Sequence, residues 1–223
     1  MLSFIENIGL ILQRYGAVFA QGLWNTLWLS FVSVFLGTFL GILVALGKLS
    51  RHKLLNGVVS TYIEIIRGTP ILLQLYFFWL ALANILPSIS DTTCILSALV
   101  VNASAYIAEV IRAGIQAVDA GQREASLSLG MTERAIMTKV IFPQAIKNIL
   151  PALGNEVIVM IKQTSLASVF FFGELMTAYK QVQSTTFLAL EPLTISGLIY
   201  LFLTVTLSRI TRHFEKRMKQ NER

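Results

Sequence analysis

Charged residues are scarce in this chain of 223 residues: Asp, Glu, Lys and Arg make up 13% of it, against roughly 25% in a typical soluble domain. Hydrophobic residues account for 55% of the chain, and the mean hydropathy is +0.68. This balance excludes an ordinary soluble domain. It predicts an all-α membrane protein, a single transmembrane domain over residues 1–223 that crosses the bilayer several times.

Cysteine and histidine are nearly absent. Cys94 is the only cysteine, which excludes an intrachain disulfide. Only His52 and His213 could join it as metal ligands, and this set does not match the ligand spacing of a structural zinc site. The sequence therefore predicts no metal and no cofactor on this chain.

Acidic residues are outnumbered by basic ones, 12 to 18, which gives a formal net charge of +6. The basic residues gather at the ends of apolar runs, within residues 48–53, 112–147 and 209–223. This distribution follows the positive-inside bias of membrane proteins and argues against a nucleic-acid partner. We predict that all three clusters lie on the cytoplasmic side.

Long apolar runs predict five transmembrane helices. With an odd number of spans and the basic clusters inside, the N-terminus lies outside and the C-terminus in the cytoplasm. Residues 1–15 mix apolar and polar side chains and predict an interfacial helix. Residues 173–191 are predicted to fold against the bundle on the outer side. The predicted spans are residues 16–47, 54–86, 92–118, 149–172 and 192–208.

The first span contains two notable glycine patterns. Gly37 and Gly41 are spaced so that another helix can approach closely, although two glycines are also common in membrane helices for no such reason. Gly41 to Lys48 nearly matches a phosphate-binding loop, but it has one residue too many before Gly47, and Leu49 replaces the required hydroxyl. We therefore predict that this chain does not bind ATP.

Polar side chains inside the predicted spans are candidate substrate-pathway residues. Such residues are costly in lipid and should face a protein interior or a wet cavity. The third span carries Asn102, Tyr106 and Glu109 on one helical face, and the fourth carries Glu156, Met160 and Gln163, with Lys162 on a neighbouring face. In the second span, Glu64 and Arg67 are spaced to form a structural ion pair, and Pro70 should kink the helix.

The longest polar insert, residues 119–148, separates the third and fourth spans. Glu124 to Pro143 predicts a helix, a turn at Gly130 with positive φ, and a second helix that starts at Thr132 and Glu133 and meets Pro143. From this geometry alone, the hairpin is equally a passive connection between two spans.

The spacing within this hairpin resembles the EAA loop of ATP-binding cassette importer permeases. The matching positions are Glu124 and Ala125, Gly130, and Pro143; Ser126, Val140 and Phe142 depart from the usual pattern but keep its size or apolarity. Three further strings resemble polar amino acid permeases of the histidine, glutamine and arginine type: residues 64–70, 102–106 and 109–114.

The resemblance implies a permease subunit that imports a polar or charged amino acid across the bacterial cytoplasmic membrane. It implies separate cassette ATPase subunits that bind ATP and Mg, a second permease chain, identical or homologous, and an extracytoplasmic binding protein. Glu124, Ala125, Gly130 and Pro143 would then couple the permease to its ATPase. Membrane lipid surrounds such a chain.

Two other functions remain open on the sequence. A secondary transporter or channel could use Glu109 and Glu156 without ATP, although no paired repeats are evident. A membrane anchor for a signalling complex would need fewer spans and no polar stripes. The sequence does not decide which amino acid is carried, or whether Glu109, Glu156 and Lys162 contact substrate or form structural ion pairs.

Overall fold

The computed structural model describes residues 2–220 and the side chains of residues 3–218. Within these residues the chain is helical and contains no strand, which confirms the all-α prediction. A π-helical turn (Met137–Ile141) and a 3₁₀ segment (Thr164–Phe170) flank one of the helices. The helices are α1 (Leu2–Lys48), α2 (Lys53–Gly68), α3 (Ile71–Ile85), α4 (Asp91–Gln116), α5 (Ala120–Ser128), α6 (Glu133–Ile136), α7 (Phe142–Gln163), α8 (Leu175–Thr186) and α9 (Leu190–Gln220).

Helices α1 and α4 run parallel in close contact. A Cβ built on Gly37 would lie 2.6 Å from the Cβ of Ala103, and one built on Gly41 would lie 2.9 Å from Cγ2 of Ile107. Any side chain at either glycine would therefore push the helices apart. The close approach predicted from the glycine spacing is confirmed.

The main hydrophobic core lies around α4. Helix α7 runs antiparallel to α4, because Gly114 near the end of α4 contacts Ile149 near the start of α7, while Leu99 and Met160 share the core at the other end. Helices α1 and α3 and the 3₁₀ segment complete this core. Its buried members are Leu29, Val34, Leu75, Ile95, Ala98, Leu99, Ala103, Ile107, Met160, Ala167 and Phe170.

The predicted second span is not one kinked helix. Helices α2 and α3 meet at a bend of 109°, with Thr69 and Pro70 both extended between them. Proline has no N–H to continue the helix and forces the residue before it away from the helical region, so the chain breaks there. The prediction of a simple kink at Pro70 was wrong.

The predicted interfacial helix is not a separate element. Residues 2–15 form the first part of α1 and continue without interruption into the predicted first span. The whole helix has 47 residues and is about 70 Å long at 1.5 Å per residue. The bilayer core is only about 30 Å thick, so α1 extends well beyond it. Its first part is held by apolar contacts, since Ile11 and Phe19 pack with Leu175 of α8 and Ile195 of α9. Met1 lies outside the described residues.

The described helices supply three to five candidate membrane spans. Three described helices are long and apolar enough to cross a membrane, and the number rises to five if each of two bent pairs forms one span. Those pairs are α2 with α3, and the segment from Glu133 to Phe170 with α8. Helix α8, within the predicted outer segment, packs against α1 and α9, which agrees with the expectation that it folds on the bundle.

Several helix termini lie at one end of the bundle. Lys48 at the end of α1 and Gln116 at the end of α4 line the same pocket. Helix α9 returns to this end, where Thr211 lies against Gly154 of α7. The α5–α6 hairpin joins the end of α4 to the start of α7, and therefore lies here too.

Candidate functional site

The hairpin turn is closed by two backbone hydrogen bonds around Gly130. The Gly130 N–H donates to the carbonyl of Leu127 at 2.9 Å, and the Met131 N–H donates to the carbonyl of Ser126 at 3.1 Å. This pair of bonds defines a Schellman motif, which requires a left-handed residue after the helix. Gly130 has φ +74°, so the turn predicted from the sequence is confirmed.

The second arm starts as predicted, and an ion pair joins the two arms. The hydroxyl of Thr132 accepts a hydrogen bond from the Ala135 N–H at 3.4 Å, which caps α6. Arg123 on α5 forms a salt bridge with Glu133 on α6, including an Nε–Oε2 hydrogen bond of 3.3 Å. The hairpin is therefore fixed by a turn, a cap and a bridge.

The second arm does not stop at Pro143. Helix α6, the π-helical turn and α7 follow one another without a loop, so the predicted boundary between the insert and the fourth span at residue 148 does not exist as a break. Phe142 N–H donates to the carbonyl of Met137, five residues back, directly before Pro143. A proline without an N–H commonly causes such a local distortion without ending the helix.

The side chains at the tip of the hairpin are exposed. Leu129 is 82% exposed, and Leu127 next to it is 43% exposed. Glu124 and Ala125 are exposed on the first arm, and Pro143 on the second. An apolar tip beside a carboxylate is available for contact with another protein.

A cluster of charged side chains joins α2 to α4. Glu109 accepts from Arg112 at 2.8 Å and pairs with Arg67 of α2 at 3.4 Å. The guanidinium of Arg67 also lies over the ring of Tyr106, 5.4 Å from its centre. The predicted pair between Glu64 and Arg67 is absent, because Arg67 reaches across to α4 instead of along its own helix.

This cluster borders an open pocket of about 470 Å³ between α1, α2 and α4. A pocket of this size can hold an amino acid. Both signs of charge face it, so it can recognise a zwitterion. Its lining residues are Lys48, Leu49, Asn56, Ser60, Ile63, Glu64, Arg67, Glu109, Arg112 and Gln116.

Glu156, the first member of the predicted second stripe, lies near the same cluster. It is partly buried on α7, which packs against α4, and Arg67 is close enough to interact with it electrostatically. Among the side chains that the structure describes, Glu156 has no ion pair in direct contact. Arg67 thus lies between a paired carboxylate, Glu109, and an unpaired one, Glu156.

Asn102 is buried and bound by a residue that was not among those predicted from the sequence. Its side-chain amide donates to Oε1 of Gln74 at 2.9 Å. The Gln74 amide in turn donates to the carbonyls of Ile66 at 2.7 Å and Thr69 at 3.2 Å, which the helix break leaves without helical partners. A lone glutamine in an apolar run four residues after Pro70 was the available signal.

The remaining candidates are separated from this cluster. Met160 is 2% exposed and belongs to the core. Gln163 is partly buried at the end of α7. Lys162 is exposed on another side of α7, where it lines a small pocket with Met176 and Tyr200. Lys162 therefore does not join the stripe of Asn102, Tyr106 and Glu109.

A buried carboxylate that was not predicted from the sequence holds α8. Glu174 is fully buried and accepts hydrogen bonds from the N–H groups of Met176 and Thr177, both at 2.7 Å, and from the Tyr200 hydroxyl at 2.9 Å. Thr26 of α1 accepts from the N–H of Leu175 at 3.1 Å. These bonds join α1, α8 and α9; an acidic residue before a helix was the only signal.

Comparison with known proteins gives a consistent result. Residues 37–220 match the family described as binding-protein-dependent transport system inner membrane component. The arginine transport system permease protein ArtQ of Bacillus subtilis is 37% identical, with 91% of this chain and 93% of that protein covered. The glutamine transport system permease protein GlnP of Escherichia coli K12 is 35% identical, with coverage of 89% and 92%.

Solved structures agree with these sequence matches. The crystal structure of an amino acid ABC transporter with histidines has a chain that is 48% identical, with a TM-score of 0.90 and coverage of 93% of this chain and 97% of that one. The MetNI methionine ABC transporter, in inward-facing conformations, has a chain with a TM-score of 0.75 at 21% identity, which shows a shared fold only.

Proposed function

This chain belongs to the binding-protein-dependent transport system inner membrane component family, and from that premise we propose that it is the permease subunit of an ATP-driven amino acid importer. Separate cassette ATPase subunits bind ATP and Mg. A second permease chain completes the pathway, and an extracytoplasmic binding protein delivers the amino acid. The complex lies in the bacterial inner membrane.

The continuity of the hairpin with α7 carries this proposal. The α5–α6 hairpin is fixed by its turn and by the Arg123–Glu133 bridge, and its second arm continues as α7 without a loop. A push on the hairpin is therefore transmitted to the helix that carries Glu156. We infer that the exposed tip docks on the ATPase, and that ATPase closure moves α7 relative to α4.

ATP-dependent uptake tests the proposal directly. The chain, purified with its cassette ATPase and reconstituted in vesicles, should accumulate a labelled amino acid when ATP and the binding protein are supplied on opposite sides. A non-hydrolysable ATP analogue should support no accumulation. Accumulation driven by an ion gradient without ATP would instead identify a secondary transporter.

Orientation is part of the proposal: the N-terminus is outside, and Lys48, the hairpin and the end of α9 are cytoplasmic. In a Cys94→Ser background, cysteines at Ser50 and Gln122 should react in intact cells only with membrane-permeant reagents. A cysteine at Ser88, between α3 and α4, serves as the matched outer control and should react with impermeant reagents. Labelling of Gln122→Cys by an impermeant reagent would reverse the assignment.

The charge cluster favours a basic amino acid as substrate. Glu109 is already neutralised by two arginines, whereas Glu156 has only the more distant Arg67. A cationic substrate side chain supplies the partner that Glu156 lacks, and an unpaired charge away from bulk water is costly until it is paired. Tyr106, which lies beneath the Arg67 guanidinium on the same face of α4, completes the pathway wall. Asn102 on that face is buried and held by Gln74, so it supports the wall from behind.

A further inference from the structure

The last part of α9 continues beyond its apolar stretch and has two different sides. Thr211, Phe214 and Met218 face α7 and form with it an apolar cleft of about 250 Å³, bordered by Leu150 and Gly154. These contacts anchor the end of the helix on the bundle. They also determine which side of the helix is turned away from it.

The side turned away from α7 is basic. Arg209, Arg212, His213 and Lys216 follow at helical intervals of three, one and three residues and line an open, shallow cavity of about 270 Å³. At 3.6 residues per turn they fall within about 100° of arc, opposite the apolar cleft. All four are exposed, and Glu215 lies on the flank between the two sides.

The same side of α9 is apolar one turn further into the helix. Leu198, Leu201, Phe202 and Val205 are 57%, 57%, 69% and 39% exposed, and they fall on the helical face that carries the basic residues. At 1.5 Å per residue, Val205 lies about 6 Å from Arg209 along the axis, and Leu198 about 27 Å from Lys216. The exposed side is thus an apolar strip about 10 Å long, short enough to lie within one lipid leaflet, that ends in a basic patch.

We propose that this face of α9 binds an anionic phospholipid. The acyl chains lie along the strip formed by Leu198, Leu201, Phe202 and Val205, and the headgroup phosphate contacts Arg209, Arg212 and Lys216. Guanidinium groups recognise phosphate through paired, charge-assisted hydrogen bonds, and basic residues at the membrane surface attract anionic lipids.

The arrangement of the charges distinguishes this proposal from the positive-inside bias. That bias depends on how many basic residues flank a span and not on which helical side they occupy. Here the four residues share one side, and that side is continuous with an exposed apolar strip. A soluble phosphate could use the charges but not the strip, so the occupant is a lipid.

Lipid binding can be measured on the permease–ATPase complex in nanodiscs that contain phosphatidylglycerol and phosphatidylcholine, by native mass spectrometry of the retained lipid. We expect the wild-type complex to retain phosphatidylglycerol preferentially. Arg212→Gln or Lys216→Gln should weaken that preference about fivefold, the effect expected for one basic residue near an anionic surface. Arg217→Gln, which removes the same charge roughly 100° round the helix from Arg209, Arg212 and Lys216, should leave it nearly unchanged.

Several outcomes would overturn the proposal. They are equal retention of the two lipids by the wild type, an equal loss for Arg217→Gln, and displacement of the lipid by glycerol phosphate, which would indicate simple anion binding. Loss of the ATPase from the Arg212→Gln complex would show that the face docks protein instead. The measurement needs neither ATP nor amino acid, so the lipid proposal can fail while ATP-driven uptake is observed, and the two proposals are tested separately.

Discussion

Gly130→Val should leave the chain in the membrane in near-normal amount while nearly abolishing ATP-coupled uptake. Gly130 has φ +74°, a left-handed conformation that costs an L residue about 1–2 kcal/mol and a β-branched residue more. A strain of that size lowers the population of the native turn by about tenfold or more. The hairpin tip would then point away from its docking position.

The effect at Gly130 is one of backbone conformation and not of crowding. No atom lies within 4 Å of a Cβ built at this position, so the new side chain meets open space. The left-handed conformation at Gly130 lies in the hairpin turn, outside the membrane-spanning helices, so those helices should insert normally. Asparagine tolerates the left-handed region better than other residues with a Cβ, which provides a matched control at the same position.

The measurements are ATPase co-purification and uptake into reconstituted vesicles. We expect Gly130→Val to bind the ATPase weakly and to lose at least about tenfold in uptake, whereas Gly130→Asn should stay close to the wild type. Wild-type coupling in a Gly130→Val complex of normal yield would mean that the hairpin is a passive connection between α4 and α7.

The local parts of the fold were predictable because local rules decide them. The positive φ at Gly130, the cap at Thr132 and the close packing at Gly37 each follow from a residue's own stereochemistry. The break at Pro70 was located correctly, but its size was not. A proline determines where a helix breaks, whereas the 109° bend depends on how α3 packs on α4 and on the Gln74 side chain that satisfies the free carbonyls.

The charged cluster was harder to predict because its pairs cross between helices. Spacing along one helix pointed to Glu64 as the partner of Arg67, yet the observed partner is Glu109 on α4. Sequence periodicity identifies which residues share a face but not what the face meets. For the same reason it could not show that Met160 is core, or that Lys162 lies on another side of α7.

Glu156→Gln should reduce uptake of a basic amino acid strongly, with a rise in KM of about tenfold or more. Glu156 is partly buried on α7 and lacks a contacting ion pair among the described side chains, so a cationic substrate group is its strongest available partner. Glutamine keeps the size of the side chain and removes only the charge. The fold and the hairpin should be unaffected, and ATP hydrolysis in the complex should persist.

Glu64→Gln is the matched control, because Glu64 is an exposed carboxylate of the neighbouring pocket and also has no ion pair among the described side chains. Its removal changes the net charge equally but leaves Glu156 and the Arg67–Glu109 pair in place, so the KM for a basic amino acid should rise much less than in Glu156→Gln. Uptake kinetics for basic, amide and acidic amino acids should be measured with the wild type and both variants. These measurements separate a basic substrate from a neutral one, and a specific contact from general attraction by surface charge. A neutral substrate would make Glu156→Gln mild, and an equal loss in Glu64→Gln would indicate general attraction by surface charge. Unchanged uptake of a basic amino acid by Glu156→Gln would remove Glu156 from the substrate pathway and leave the Arg67–Glu109 cluster as a structural bridge between α2 and α4.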